Sequence, residues 1–248
     1  MYNKNIIIAG AGGYVGWSLV EKLLNNNFNI YAIDINFSDK QKLQASNLGQ
    51  SLFLIEADLC NEADIKKVIL DINVIDGVVN CSYPRGPDYG KDFFDIPIES
   101  LNQNINMHIN SFFILTREIV KYFYENKKTI SVINFASIYG TTTPKFDIYK
   151  NENFTMPIEY AFVKNSIISL SKYTSALIKD SKFRINTISP GGIFNNHSPE
   201  FVKKYSKHTR GKGMLDKHDV SGSVLFLLSD DSFYISGQNI IIDDGFSL

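Results

Sequence analysis

The feature that most constrains this chain is an alternation of two periods. Short β-branched runs at Asn5–Ala9, Phe28–Ile33, Ser51–Ile55, Gly77–Asn80, Thr129–Phe135, Arg184–Ile188 and Asn239–Ile242 are separated by segments with apolar residues at helical spacing. The runs are almost continuously apolar, as strands covered on both faces must be, whereas a strand with one wet face alternates. Strands that alternate with helices build parallel sheets, since parallel neighbours need a long, right-handed crossover. The expectation is an α/β protein, with a doubly wound parallel sheet of about seven strands and helices on both faces. The 248 residues, 44% of them hydrophobic and 21% charged, fit one such domain spanning 1–248 and leave no room for a second.

The first strand runs into Gly10-Ala-Gly-Gly13-Tyr14-Val15-Gly16, and a helical run, Trp17–Leu24, follows. Small residues between a strand and a helix let the backbone turn tightly, approach a pyrophosphate and pack the helix close to the sheet. About twenty residues on, Asp34 ends the second strand, where a carboxylate accepts hydrogen bonds from an adenosine ribose and repels a 2′-phosphate. This is a Rossmann-type dinucleotide motif, with Gly10, Gly13, Tyr14, Val15, Gly16 and Asp34 as cofactor contacts and NAD(H) preferred over NADP(H). Asp58 and Leu59, past the third strand, are placed at the adenine, although Asp58 reads equally well as an acidic helix N-cap.

The reactive end is marked by Ser137, just after the fifth strand, and by Tyr160-Ala-Phe-Val-Lys164. Four residues apart on a helix, Tyr160 and Lys164 share one face about 6 Å apart in rise, so the ammonium can lower the phenol's pKa. With Asn186, Pro190-Gly191 and the glycine motif, the pattern resembles the compact, single-domain branch of the short-chain dehydrogenase/reductase family, from Gly10 to Asp243-Asp244-Gly245. The resemblance implies that Tyr160 exchanges the proton with a substrate hydroxyl or carbonyl. It further implies that Lys164 binds the nicotinamide ribose, that Ser137 holds the substrate oxygen, that Asn80 lines the cofactor site and that Pro190, Gly191 and Ile193 meet the nicotinamide amide.

Several positions depart from the family pattern. Tyr14 stands at its middle glycine and Tyr83 where a small residue is usual. The place of the proton-relay asparagine falls on His108, which either continues the relay through a water near Lys164 or is a satisfied structural histidine. Asn195 replaces a hydroxyl residue. The 22 residues between Ser137 and Tyr160 exceed the usual spacing and are aromatic and polar, which suits a platform for a polyhydroxylated ligand. This insert, with Met156-Pro-Ile-Glu-Tyr160, resembles short-chain oxidoreductases of bacterial surface-sugar and flagellin-glycan pathways.

Arg85 and Tyr139 join Asn195 as candidate substrate contacts. Lys203, Lys204, Lys207, Arg210, Lys212 and Lys217 either steer an anionic substrate or form a solvated helix face. The function expected is an NAD-linked alcohol/ketone oxidoreductase acting on a phosphorylated or nucleotide-activated sugar. The alternatives are a non-sugar ketone or alcohol as substrate, and a dinucleotide sensor without turnover.

Charge and cysteines exclude other classes. Lys and Arg total 25 against 26 Asp and Glu, so nothing global attracts a polyanion and no nucleic-acid partner is expected. Cys60 and Cys81 lack C-x-x-C spacing, which points to reduced thiols and no metal. The opening Met1-Tyr-Asn-Lys-Asn and Ile6-Ile7-Ile8 is too short for a signal peptide, and no apolar run approaches the ~18 residues of a membrane span. The expected location is cytoplasmic. The apolar face of Val220–Leu228 and the family resemblance imply a homodimer or homotetramer.

Overall fold

The computed structural model describes residues 4–48 and 51–248; residues 1–3 and 49–50 of the expected 1–248 span, including the Met1 start, lie outside the described residues. Seven strands are present: β1 (Asn5–Ala9), β2 (Asn29–Asp34), β3 (Leu52–Glu56), β4 (Gly77–Asn80), β5 (Ile130–Phe135), β6 (Phe183–Pro190) and β7 (Asn239–Ile242). Around them lie α1 (Tyr14–Leu24), α2 (Asp39–Leu48), α3 (Glu62–Asp71), α4 (Ile98–Asn126), α5 (Ile158–Leu177), α6 (Pro199–Ser206) and α7 (Ser221–Leu228). The sheet order is β3-β2-β1-β4-β5-β6-β7, and every pairing is parallel.

The two-residue period of a strand sorts the core into two layers. Ile7, Val78, Val132 and Ile185 face one side and pack on Ile65, Leu115, Ile119 and Phe123 from α3 and α4. Ile6, Ile8, Val79, Ile133 and Ile188 face the other and pack on Leu19, Leu23, Val224 and Leu227 from α1 and α7. Each of these side chains is worth roughly 1.5–3 kcal/mol of transfer free energy when fully buried. A one-residue slip of any central strand would exchange the two layers, so the pattern that builds the core also fixes the register.

The chain reverses direction across the sheet between β1 and β4, which opens a crevice at their carboxyl ends. Three long connections rise at that edge, after β4, β5 and β6. The last contains a helix that hydrophobic periodicity alone does not reveal. Ser198 caps α6 by accepting from the Phe201 N–H at 3.0 Å, Pro199 occupies its first turn, and Phe201 and Tyr205 are buried. Ser-Pro-Glu is itself a helix-start signal, stronger here than the apolar spacing. Nor does Asp216 open the final helix. Its N–H donates to Asp219 and its carboxylate accepts from His218 N–H, which stabilises turns, and α7 begins at Ser221.

Candidate active site

The cleft at the switch point has a volume of about 1540 Å³ and runs from the glycine loop to α6. At its nucleotide end the glycines meet physical demands. Gly10 has φ +75°, and a Cβ there would lie 2.6 Å from the Ser82 backbone; one on Gly16 would lie 2.0 Å from the Gly10 carbonyl oxygen. Tyr14 begins α1 with its ring 43% exposed under the Lys217 ammonium, 5.0 Å away, so a glycine is not needed at that position.

Asp34 holds the loop directly. Its Oδ2 accepts from the Gly12 N–H at 2.8 Å and its Oδ1 from the Ile35 N–H at 2.8 Å, while Gln41 donates to the Gly12 carbonyl at 3.0 Å. A Cβ on Gly12 would meet the Asn36 oxygen at 2.9 Å. Gly12 and Gln41 are therefore parts of the site that the glycine count did not single out. Asp58 is not the α3 cap. Asn61 fills that role through Ala63 N–H at 2.9 Å, and Asp58 instead accepts from Cys60 N–H at 2.8 Å and lines the cleft with Leu59.

At the other end Ser137, Tyr160 and Lys164 come together. Ser137 follows β5, is 4% exposed, accepts from the Tyr139 N–H at 3.2 Å and lines the cleft with Tyr160. Lys164, 5% exposed, donates to the Phe135 carbonyl at 3.0 Å, and its ammonium lies 5.5 Å from the Tyr160 ring centre. Burial pushes the Lys164 ammonium down to about 8. Burial also raises the Tyr160 phenol, with Ser137 opposing it. The phenol is thus raised by desolvation, which disfavours the charged form of either group, rather than lowered by Lys164 as its spacing suggests.

Gly13, Val15, Arg85, Tyr139, Pro190, Gly191, Ile193 and Asn195 all line the same cleft. Two expected site residues do not. Asn80 lies beneath the floor, 1% exposed, accepting from the Ser82 hydroxyl at 2.7 Å and donating to the Ser111 carbonyl at 3.3 Å; Ser82 and Ser111 reach the cleft in its place. His108 is 1% exposed behind the ring of Tyr83, whose centre is 5.1 Å from its own. Asn186 is structural, donating to the Ile235 carbonyl and accepting from Gln238 N–H.

Aromatic residues form much of the remaining wall, Tyr89 and Tyr205 among them without any sequence signal. Tyr83 and Tyr89 share a hydrogen bond between their hydroxyls, and the Tyr83 ring stands 5.7 Å from that of Tyr160. Tyr205 of α6 stacks on Phe246 at 4.3 Å and accepts from the Gly192 N–H at 2.6 Å, bracing the loop after β6. The insert supplies Tyr149 and 153–157 to the cleft, and Ile148 and Tyr149 anchor it against Phe201. The six cations of 203–217 do not line the cleft. Lys204 is paired with Glu200 at 2.8 Å and Lys212 with Asp219 at 2.5 Å, as on a solvated face.

This geometry matches known proteins across the whole chain. Residues 10–247 match a short-chain dehydrogenase/reductase family model described as Enoyl-(Acyl carrier protein) reductase. The chain belongs to the short-chain dehydrogenase/reductase family. This short-chain dehydrogenase/reductase is an oxidoreductase, and its relatives act on CH–OH groups. It is 33% identical to the post-translational flagellin modification protein A of Campylobacter coli over 254 aligned residues, covering 99% of each chain. A short-chain dehydrogenase from Leptospira borgpetersenii solved with bound NAD+ is 30% identical with a TM-score of 0.89, covering 100% of this chain and 94% of that one. The NADP-bound ElxO structure, 19% identical with a TM-score of 0.82 and 98% coverage of both chains, shares the fold. Among the described residues no helix is long and apolar enough to cross a membrane.

Proposed function

We propose that this short-chain dehydrogenase/reductase interconverts a secondary alcohol and a ketone with NAD(H), on a phosphorylated or nucleotide-activated sugar destined for a surface glycan. The observation that carries the reading is the convergence of Ser137, Tyr160 and Lys164 at the end of β5, in one cleft with the glycine loop. The residues fit the dinucleotide. Gly10, Gly12, Gly13 and Gly16 leave room for a pyrophosphate at the start of α1, and Asp34 puts a carboxylate where a 2′-phosphate would have to sit, which favours NAD(H). Asp58 and Leu59 would border the adenine, and Pro190, Gly191 and Ile193 the nicotinamide. When bound, the dinucleotide supplies or accepts the hydride.

The protein's own part is positioning and proton transfer. Ser137 would hold the substrate oxygen and Tyr160 the exchanged proton at its hydroxyl, both lining the same cleft. Lys164, held by the Phe135 carbonyl, places a positive charge beside the phenol that stabilises the phenolate when the proton has left. His108 would stand behind them as an acceptor, and Asn80 would position Ser82 and Ser111. The flagellin-modification relative and the hydroxyl-rich wall support a sugar substrate. The apolar face of Val220–Leu228 packs into the subunit's own core, so it is the exposed apolar side chains of α4 and α5, among them Phe113, Phe162 and Leu177, that support a homodimer or homotetramer; the location we propose is the cytoplasm.

The test is NADH formation from NAD with a panel of sugar phosphates and nucleotide-activated sugars, run beside Tyr160→Phe. The reading expects turnover by the natural protein and a loss of about 10²–10⁴ in kcat for the variant. Turnover confined to steroid-like or acyl ketones would replace the sugar, and undiminished turnover by Tyr160→Phe would remove the catalytic assignment.

A further inference from the structure

We propose that Tyr83, Tyr89, Tyr139, Tyr205 and His197 form a hydrogen-bond-donating wall for an acceptor-rich substrate, and that Arg85 takes the single anionic group of that substrate, a phosphate or a carboxylate. The inference rests on the placement of the reacting carbon at Tyr160 and adds what the rest of the ligand must look like.

A count of hydrogens carries it. The Tyr83 and Tyr89 hydroxyls bond each other, which uses one of their two protons and leaves one to donate elsewhere. Tyr149 donates to the Tyr139 hydroxyl at 3.3 Å, so the Tyr139 proton has no acceptor among the described residues. Tyr205 accepts from Gly192 N–H at 2.6 Å, and its own proton is likewise left over. His197 accepts from the Asn195 N–H through Nδ1 at 3.1 Å, which fixes the neutral ring's hydrogen on Nε2. All five residues line the cleft. Burial pushes all four phenols above their ordinary value and lowers the His197 imidazolium, so at neutral pH every one of these groups is a neutral donor. In the open cleft these protons meet only solvent, and an acceptor-rich ligand takes the place of that solvent.

Charge completes the picture. Among the described residues that line the cleft, carboxylates occur only at Asp34 and Asp58, both at the nucleotide end. Glu159, next to Tyr160, is fully buried behind the lining of the substrate lobe beside Tyr83 and Tyr89 and does not itself line the cleft. The Arg85 guanidinium lies over the Tyr83 ring, 5.3 Å from its centre, at the rim of the same lobe. Lys91 of the same loop is occupied by Asp88 at 3.0 Å, whereas Arg85 has no carboxylate partner among the described residues. A planar fork stacked on an aromatic face is set to bind a phosphate or carboxylate through two hydrogen bonds.

The experiment is calorimetric titration of the NADH-saturated Tyr160→Phe protein, in which binding is read without turnover. The probes are glucose 6-phosphate, gluconate, glucose, glucosamine and cyclohexanol. The two anions should bind about tenfold or more tighter than glucose, since a charged hydrogen-bonding pair separates them. Glucosamine should be weaker than glucose, and cyclohexanol should not bind. Arg85→Gln should bring the anions to the level of glucose with NADH affinity unchanged, whereas Tyr139→Phe should weaken glucose 6-phosphate, gluconate and glucose alike. A stronger loss for glucose 6-phosphate than for gluconate would name phosphate as the source of the charge. Tightest binding by cyclohexanol, retained anion preference in Arg85→Gln, or silence from every probe would overturn the inference. None of those results would touch the role of Tyr160, which turnover decides.

Discussion

The Nδ1 atom of His108 lies 2.8 Å from the carbonyl oxygen of Asn104, one turn back along α4. A carbonyl only accepts, so the imidazole keeps its hydrogen on Nδ1, and Nε2 is a buried lone pair without a protein partner. His108 is therefore neither fully satisfied nor free to rotate, and it offers an acceptor behind Tyr83. Burial, with Lys164 and Arg85 assisting, lowers its pKa from 6.5 to about 4.

That depression has a sign for stability. Between pH 6.5 and about 4 the unfolded chain binds the proton and the folded chain does not, so acidification through this window favours unfolding. The full effect is roughly 3 kcal/mol, reached near the folded-state pKa. Denaturant unfolding of the natural protein and of His108→Gln, measured at intervals across the window, should show a steeper acid loss in the natural protein. Parallel curves would mean that the histidine titrates normally.

Asp34 holds the Gly12 and Ile35 N–H groups at 2.8 Å each and, on the proposed placement of the dinucleotide, would also present its carboxylate to the ribose. Asp34→Ser removes both. NADH affinity should fall about tenfold or more, the worth of a charged hydrogen bond, while NADPH affinity should fall less or rise. Fluorescence titration with the two dinucleotides measures this directly. Equal losses for both would show that the carboxylate orders the loop without selecting the cofactor.

The strand pattern was legible because a buried parallel strand leaves a continuous apolar run, and all seven runs fall on strands. Gly10 and Gly16 were legible because their local backbone admits few residue types, and Ser137, Tyr160 and Lys164 because together with the glycine loop they resemble a family pattern. What escaped was long-range. Tyr205 and Tyr89 carry no motif, and they reach the cleft only through the packing of α6 and of the loop after β4. The same holds for Asn80, where the sequence gives the position in the strand but not that Ser82 and Ser111 stand between it and the cleft. The basic run at 203–217 left two readings open for a related reason, since the carboxylates that occupy Lys204 and Lys212 and decide for the solvated face are set by the fold of the loop.

Two glycines test the close approach of α1. A methyl group on Gly16 would overlap the Gly10 oxygen at 2.0 Å, whereas one on Gly222, in the exposed first turn of α7, would meet nothing within 4 Å. Gly16→Ala should lose about 3 kcal/mol or more of stability, as overpacking against backbone cannot relax by a side-chain rotation. Gly222→Ala should gain about 0.5–1 kcal/mol from helix propensity. Thermal unfolding of the two variants should therefore move in opposite directions.

Arg184 poses the last test, because it is a buried cation with no carboxylate in contact. It is 2% exposed in β6, and its guanidinium donates to the carbonyls of Leu227 at 3.2 Å, Ser229 at 3.2 Å and Ser232 at 2.8 Å. These are the last acceptors of α7 and of the turn after it, where the helix dipole is negative, so the cation serves as a C-cap reaching across from the sheet. Arg184→Met keeps the bulk and removes these charged, buried hydrogen bonds, each worth about 1.5–3 kcal/mol, while Ser131, Ser232 and Ile235 still donate to the same carbonyls. We expect a loss of about 3 kcal/mol or more in denaturant unfolding, with NADH affinity retained at temperatures where the variant is folded. Arg184→Lys should recover only part of the loss, since a single ammonium cannot span carbonyls that the guanidinium reaches with two nitrogens. A methionine variant as stable as the natural protein would show that water replaces the guanidinium at those carbonyls.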